Sequence, residues 1–142
     1  MRAFQRNSPE RPPILQSFQR LWLEKQELLT TTQNIAEFWN VSTRPASARG
    51  SLGLAPSIVE PRVKLIERVC RIVPFDLADY VHWRSLIVRY QICGVSVHDA
   101  RLVAVMLSNQ VPTILTLNDS DFRRYHEIDV HTPSSLLSAT LK

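Results

Sequence analysis

Apolar residues recur along this chain mostly at helical spacing, broken by a few short runs that are apolar or β-branched throughout. Positions 14, 15, 18, 21, 22 and 23 form one stripe, with Gln, Arg and Glu opposite, and predict a helix over 14–25. The run ELLTTT (27–32) reads as a strand, and its threonines lead into a helix over 33–41. Residues 43–53 hold small and turn-forming side chains, including Gly50 and Gly53, and predict a loop. A helix over 57–69 follows, with positions 58, 59, 63, 65, 66 and 69 expected to face a core. CRIVP (70–74) is a second strand, and 76–92 is a long helix with Asp76 and Asp79 at its start, Arg84 and Arg89 later, and Gly94 as its stop.

The most informative stretch is 95–122. Ser96 is placed to cap a helix over 97–109, Asp99 lies in its first turn, and Pro112 closes the turn that follows. TILTL (113–117) reads as a strand covered on both faces, and the polar loop Asn118 to Asp121 follows at its C-terminal edge, where ligands bind in open α/β sheets. A last, edge-like strand is expected at 128–132, before Pro133. This order predicts an α/β layered fold with a mostly parallel sheet. The segments 1–13 and 134–142 are polar or proline-rich and are expected to fray, leaving a single domain across 1–142.

Composition narrows the classes. A chain of 142 residues, 44% hydrophobic and 21% charged, can bury one ordinary core. No apolar run approaches the roughly 20 residues of a membrane span, and the start MRAFQRNSPERPP lacks a secretory signal's apolar centre, so a cytoplasmic location is expected. Cys70 and Cys93 have no metal-ligand spacing and read as buried free thiols. His82, His98, His126 and His131 form no metal set. The net charge is +4, and of 17 basic residues only Lys25, Lys64 and Lys142 are lysine; arginine is the better bidentate partner for phosphate, which makes nucleic acid an admissible ligand.

Three acids stand out. Glu37, within IAEFWNV, needs a cation or a polar cleft to avoid the cost of burial; a surface pair with an arginine is the structural alternative. Asp99 is also good first-turn helix chemistry, and Asp121 is also a turn cap. Brought together at one sheet edge, carboxylates repel unless a cation lies between them, and oxygen-rich sites suit Mg²⁺ or Mn²⁺. Such an ion can acidify a bound water and neutralise charge on a departing phosphate oxygen, with no His or Ser nucleophile required.

The segments IAEFWNVSTRP (35–45), HDARLVAVM (98–106) and TLNDSDF (116–122), in this order and spacing, resemble PIN-domain proteins of the VapC type, the ribonuclease toxins of bacterial toxin–antitoxin pairs. The resemblance extends from about Ser8 to Pro133. It implies a three-layer α/β/α fold and metal-dependent hydrolysis of RNA phosphodiester bonds. It further implies Glu37, Asp99 and Asp121 as ligands of Mg²⁺ or Mn²⁺, Thr116 and Asn118 as neighbours of the site, homodimerisation, and a cognate antitoxin protein as partner. Arg44, Arg49, Arg123 and Arg124 are candidate RNA contacts. The departure is at the front: such proteins normally open with an apolar central strand ending in a fourth metal-binding Asp, whereas this chain opens at MRAFQRNSP. A start codon placed too far downstream and a truncated gene are the two explanations, and the chain as given is expected to be weakly active. The competing reading is a decayed, non-catalytic PIN protein that keeps only partner binding, through the 14–25 and 57–69 helices. A phosphotransfer domain is disfavoured, because Gly50, Gly53 and Gly94 are the only glycines and supply no phosphate loop.

Overall fold

A computed structural model describes residues 2–5, 7–48 and 50–138. Its order is α1 (Arg11–Leu23), β1 (Leu29–Thr31), α2 (Thr32–Thr43), α3 (Pro56–Val69), β2 (Arg71–Val73), α4 (Leu77–Arg89), α5 (Val97–Ser108), β3 (Thr113–Leu115), α6 (Asp119–Phe122), β4 (Asp129–His131) and α7 (Pro133–Ser138), with 3₁₀ turns at Arg2–Phe4 and Gly94–Ser96. This is the mixed α/β architecture with short parallel sheets that the pattern predicts. Among the described residues no helix is long and apolar enough to cross a membrane.

The strands form two parallel pairs. β1 runs beside β2 in the register Leu29 to Arg71, Thr30 to Ile72 and Thr31 to Val73; β3 runs beside β4, with Thr113, Ile114 and Leu115 opposite Asp129, Val130 and His131. Among the described residues no hydrogen-bonded ladder joins the two pairs, so β1 and β3 each keep one unpaired edge. Two apolar clusters form. Phe38 of α2 packs with Val59 and Val63 of α3, joined by Phe4, Trp39 and Ile66. The larger cluster takes Leu86 from α4, Ala100, Val103, Ala104 and Met106 from α5, and Phe122, Tyr125 and Ile128 from the chain around α6.

Local chemistry explains the boundaries. Thr31 caps α2, its hydroxyl accepting from the Asn34 N–H at 3.1 Å. Asp76 and Asp79 close a reciprocal capping box on α4, with the Asp79 N–H donating to Asp76 Oδ1 at 3.0 Å and the Asp76 N–H to Asp79 Oδ2 at 2.7 Å. Helices α1, α4 and α5 all end with a non-glycine residue in the left-handed region, Lys25 at φ 55°, Gln91 at φ 49° and Gln110 at φ 54°. The next N–H in each case reaches back to the last turn, Gln26 to Leu21, Ile92 to Ile87 and Val111 to Met106, each at 2.9 Å. The stop of α4 is thus Gln91; Gly94, expected in that role, instead opens the 3₁₀ turn before α5 at φ 58°.

Several expectations change. Ser96 stands at the start of α5 in helical conformation and makes no side-chain cap, because it also closes the preceding 3₁₀ turn. The loop expected at 118–121 contains the single-turn helix α6. Residues 134–138, within the segment expected to fray, belong to α7 against α1: Ser17 Oγ donates to the Pro133 carbonyl at 3.2 Å, an Arg20 Nη donates to the Leu136 carbonyl at 2.6 Å, and Leu136 is 2% exposed. The apolar stripe of α1 is largely outside the core, with only Ile14 buried and Leu15, Phe18, Trp22 and Leu23 exposed. On α3, Val59 and Val63 are buried while Ile58, Leu65 and Val69 are exposed. Cys93 is exposed and Cys70 half-buried, where burial was expected for both.

Candidate functional site

The acids singled out in the sequence come from three elements. Glu37 lies in the second turn of α2, directly after β1. Asp99 occupies the first turn of α5, where the helix dipole favours negative charge. Asp121 lies in α6, beyond the C-terminal end of β3. The strands are short, but each does what the fold requires of it, delivering a helix start and its polar residues to one end.

The charges meet at Asp99. Its carboxyl is pushed above the ordinary carboxylate value, first by burial and then by the negative charges of Asp121 and Glu37, with Arg124 and His98 opposing. Asp99 is half-buried, whereas Glu37 and Asp121 are exposed. Glu37 therefore escapes the burial its apolar neighbours suggested: those neighbours turn to Phe38 and the α3 side, and the carboxylate remains at the surface. Among the described residues no salt bridge reaches Glu37, Asp99 or Asp121.

The residue that pattern reading missed is Gln33. Its carboxamide nitrogen donates to Glu37 Oε1 at 2.9 Å and to the His98 backbone carbonyl at 3.2 Å, tying α2 to the start of α5 beside Asp99. Its Oε1 is buried without a partner. The available signal was its spacing: Gln33 is one helical turn before Glu37, on the same face. Tyr125, also passed over, is 2% exposed with an unpartnered hydroxyl, and burial raises its phenol to about 12, the Asp99 charge adding to the effect.

The bordering residues are placed as follows. Thr116 Oγ1 accepts from the Asn118 N–H at 3.1 Å, shaping the turn out of β3, and the exposed Asn118 stands at the N-terminus of α6. Arg123 is bound within its own turn, its Nε donating to Asp119 Oδ2 at 3.0 Å; that hydrogen bond is the main reason the Asp119 carboxyl lies below its ordinary value. Arg124 is exposed and acts on Asp99 through its charge. Arg44 is half-buried at the end of α2. Arg49 lies outside the described residues.

The PIN domain profile matches residues 8–128, most of the chain. The chain belongs to the PIN-domain family. No curated protein matches it. PIN domains are generally metal-dependent nucleases, so a divalent ion is the group this site must be tested against. In kind the donors fit: three carboxylates, no sulfur, and mutual repulsion at Asp99 that a hard cation would relieve. In spacing they are open, since among the described residues no three His, Cys, Asp or Glu side chains converge closely enough to enclose an ion.

Proposed function

We propose that this PIN domain is a VapC-like, Mg²⁺- or Mn²⁺-dependent endoribonuclease, the toxin component of a toxin–antitoxin pair. The observation that carries the reading is the electrostatic focus at Asp99, where burial and the charges of Asp121 and Glu37 raise the carboxyl against the opposing charges of Arg124 and His98, and where no salt bridge forms among the described residues. Acids brought together in this way fit a site that a cation completes. Asp99 would hold the ion directly, with Glu37 and Asp121 as further carboxylate or water-bridged ligands. When bound, a divalent ion supplies an acidified water and charge neutralisation on phosphate oxygens. The chain would supply the orientation: Thr116 and Asn118 would border the phosphodiester, and the exposed Arg124, whose charge reaches Asp99, would hold the polyanion.

The partner reading has its own support. Leu15, Phe18, Trp22 and Leu23 on α1, and Ile58, Leu65 and Val69 on α3, are exposed apolar side chains. An antitoxin segment or a second copy covering these faces is consistent with the inhibitor and homodimer expected of a VapC-like toxin. The unpaired edges of β1 and β3 are where a further central strand, carrying a fourth acid, would pair.

The open spacing of the acids favours one other reading, a PIN protein that binds partners and no longer cleaves. Structured RNA incubated with the chain and Mn²⁺ separates the two. Cleavage that EDTA stops supports the nuclease; intact RNA, with a melting temperature indifferent to Mn²⁺, overturns it in favour of the binding protein.

A further inference from the structure

We propose that β1, α2, α3 and β2 form a unit that opens locally as one body against the rest of the chain, with the Phe4 ring as its latch, so that the acids come apart and meet again with it. The inference holds whether or not the chain cleaves RNA. Its basis is how the contacts divide. α2 packs on β1 and α3, α3 packs on β2, and β1 pairs with β2, all within residues 29–73. Their buried side chains, Phe38, Val59 and Val63, form a cluster separate from the one that α4 and α5 share with Phe122, Tyr125 and Ile128. Among the described residues no strand ladder joins the unit to the β3 and β4 pair. The chain enters and leaves the unit at one neck, where the Arg71 N–H donates to the Leu28 carbonyl at 2.8 Å and Arg71 Nε pairs with Glu27 Oε1 at 2.7 Å. An excursion closed at its base can open without unfolding what precedes and follows it.

This unit also has the weaker interior. Among the described residues three buried side chains hold its cluster, against eight in the other, and the free energy of local opening follows buried contact. Pro61 lies inside α3 and cannot donate a helical hydrogen bond, and Ala55 opens that helix with no side-chain cap. By contrast α4 opens on its reciprocal capping box. Phe4 ties the unit to the remainder, together with the Gln33 hydrogen bond to the His98 carbonyl. Its ring lies 5.5 Å from that of Phe38 on α2, and the Arg62 guanidinium of α3 stands over it at 5.6 Å. The turn carrying Phe4 is held to α1 by Arg11 Nε, which donates to the Ala3 carbonyl at 3.0 Å, and α1 is docked on α7. Glu37 lies on the unit, whereas Asp99 and Asp121 lie outside it. Opening therefore takes Glu37 away from the other two acids while their own cluster stays folded.

Hydrogen exchange under native conditions, read peptide by peptide by mass spectrometry, tests this on the unchanged chain, Phe4→Ala and Val63→Ala. In the unchanged chain the amides of α2 and α3 should exchange at least about tenfold faster than those of α5. Both variants should speed exchange in α2 and α3 by about a further tenfold and leave α5 as it was, since each removes apolar contact from the unit alone. Equal protection of α2, α3 and α5 in the unchanged chain would mean one cooperative body and overturns the proposal. Faster exchange or unfolding of α5 in Val63→Ala overturns it as well. Acceleration of α2 and α3 by Val63→Ala with none by Phe4→Ala overturns the latch.

Discussion

Replacing Tyr125 by Phe tests how the apolar cluster beneath the acids is built. The phenol is 2% exposed and its oxygen has no partner, while its ring meets Tyr90 edge-on at 5.1 Å and 74°. Phe retains the ring, the edge contact and nearly all of the volume, and removes only the oxygen. A buried hydroxyl left unsatisfied costs about 1–3 kcal/mol, so the variant should be more stable by that amount. For a chain of this size each kcal/mol moves the melting temperature by about 3 °C, which places the expected rise at about 3–9 °C. Differential scanning calorimetry at pH 7 measures it. The pH dependence gives a second reading. With its phenol raised from 10 to about 12, the folded chain keeps a proton that the unfolded chain has released, so stability falls as pH rises through that window. Tyr125→Phe should lack this component and show a flatter alkaline limb. A melting temperature that falls on substitution would refute the reasoning, because it would mean that the hydroxyl has a partner, such as a buried water between Tyr125 and Asp99.

Other consequences can be checked in the same way. The raised carboxyl of Asp99 means that the folded state binds more protons than the unfolded state just above pH 3.8, so metal-free stability falls through that window as pH rises; Asp99→Asn should be more stable than the unchanged chain at pH 7 without metal, by thermal melting, and no more stable near pH 3. Leu136→Ala should destabilise by about 2–5 kcal/mol in urea unfolding, as a buried leucine does, whereas a freely fraying C-terminal segment would make it neutral. Gln91→Gly should stabilise by about 0.5–1 kcal/mol, because glycine accepts the left-handed conformation that ends α4 without a Cβ penalty.

The sequence carried the element order and the acids, and lost information where tertiary packing decides. Periodicity located α2, α4 and α5 because each combines an apolar face with a readable start, as in the Asp76 and Asp79 capping box. It located α1 and α3 as well, but not the burial of their faces, since a stripe such as Ile58, Leu65 and Val69 signals an apolar face without saying whether this chain covers it. The stop of α4 was placed at Gly94 because glycine is the usual left-handed residue, while the chain uses Gln91, which composition cannot distinguish from an ordinary helix residue. Asp99 was legible from its place in a first turn and Asp121 from its place after a strand. Gln33 was not, because its importance lies in a carbonyl of α5, 65 residues away in sequence. The same limit applied to Tyr125, whose polar neighbours Arg124 and His126 disguised a core position.

The central claim, that Asp99 anchors a divalent-ion-dependent RNA-cleaving site, is tested most directly by single-turnover cleavage of a structured RNA by the unchanged chain and by Asp99→Asn, each with Mn²⁺ and with EDTA. The account predicts Mn²⁺-dependent cleavage that Asp99→Asn reduces by at least about 100-fold, the scale on which loss of one preorganised electrostatic group acts, while the variant melts no lower than the unchanged chain. Cleavage that persists at full rate in Asp99→Asn, or no cleavage by the unchanged chain with Mn²⁺ present, would contradict it.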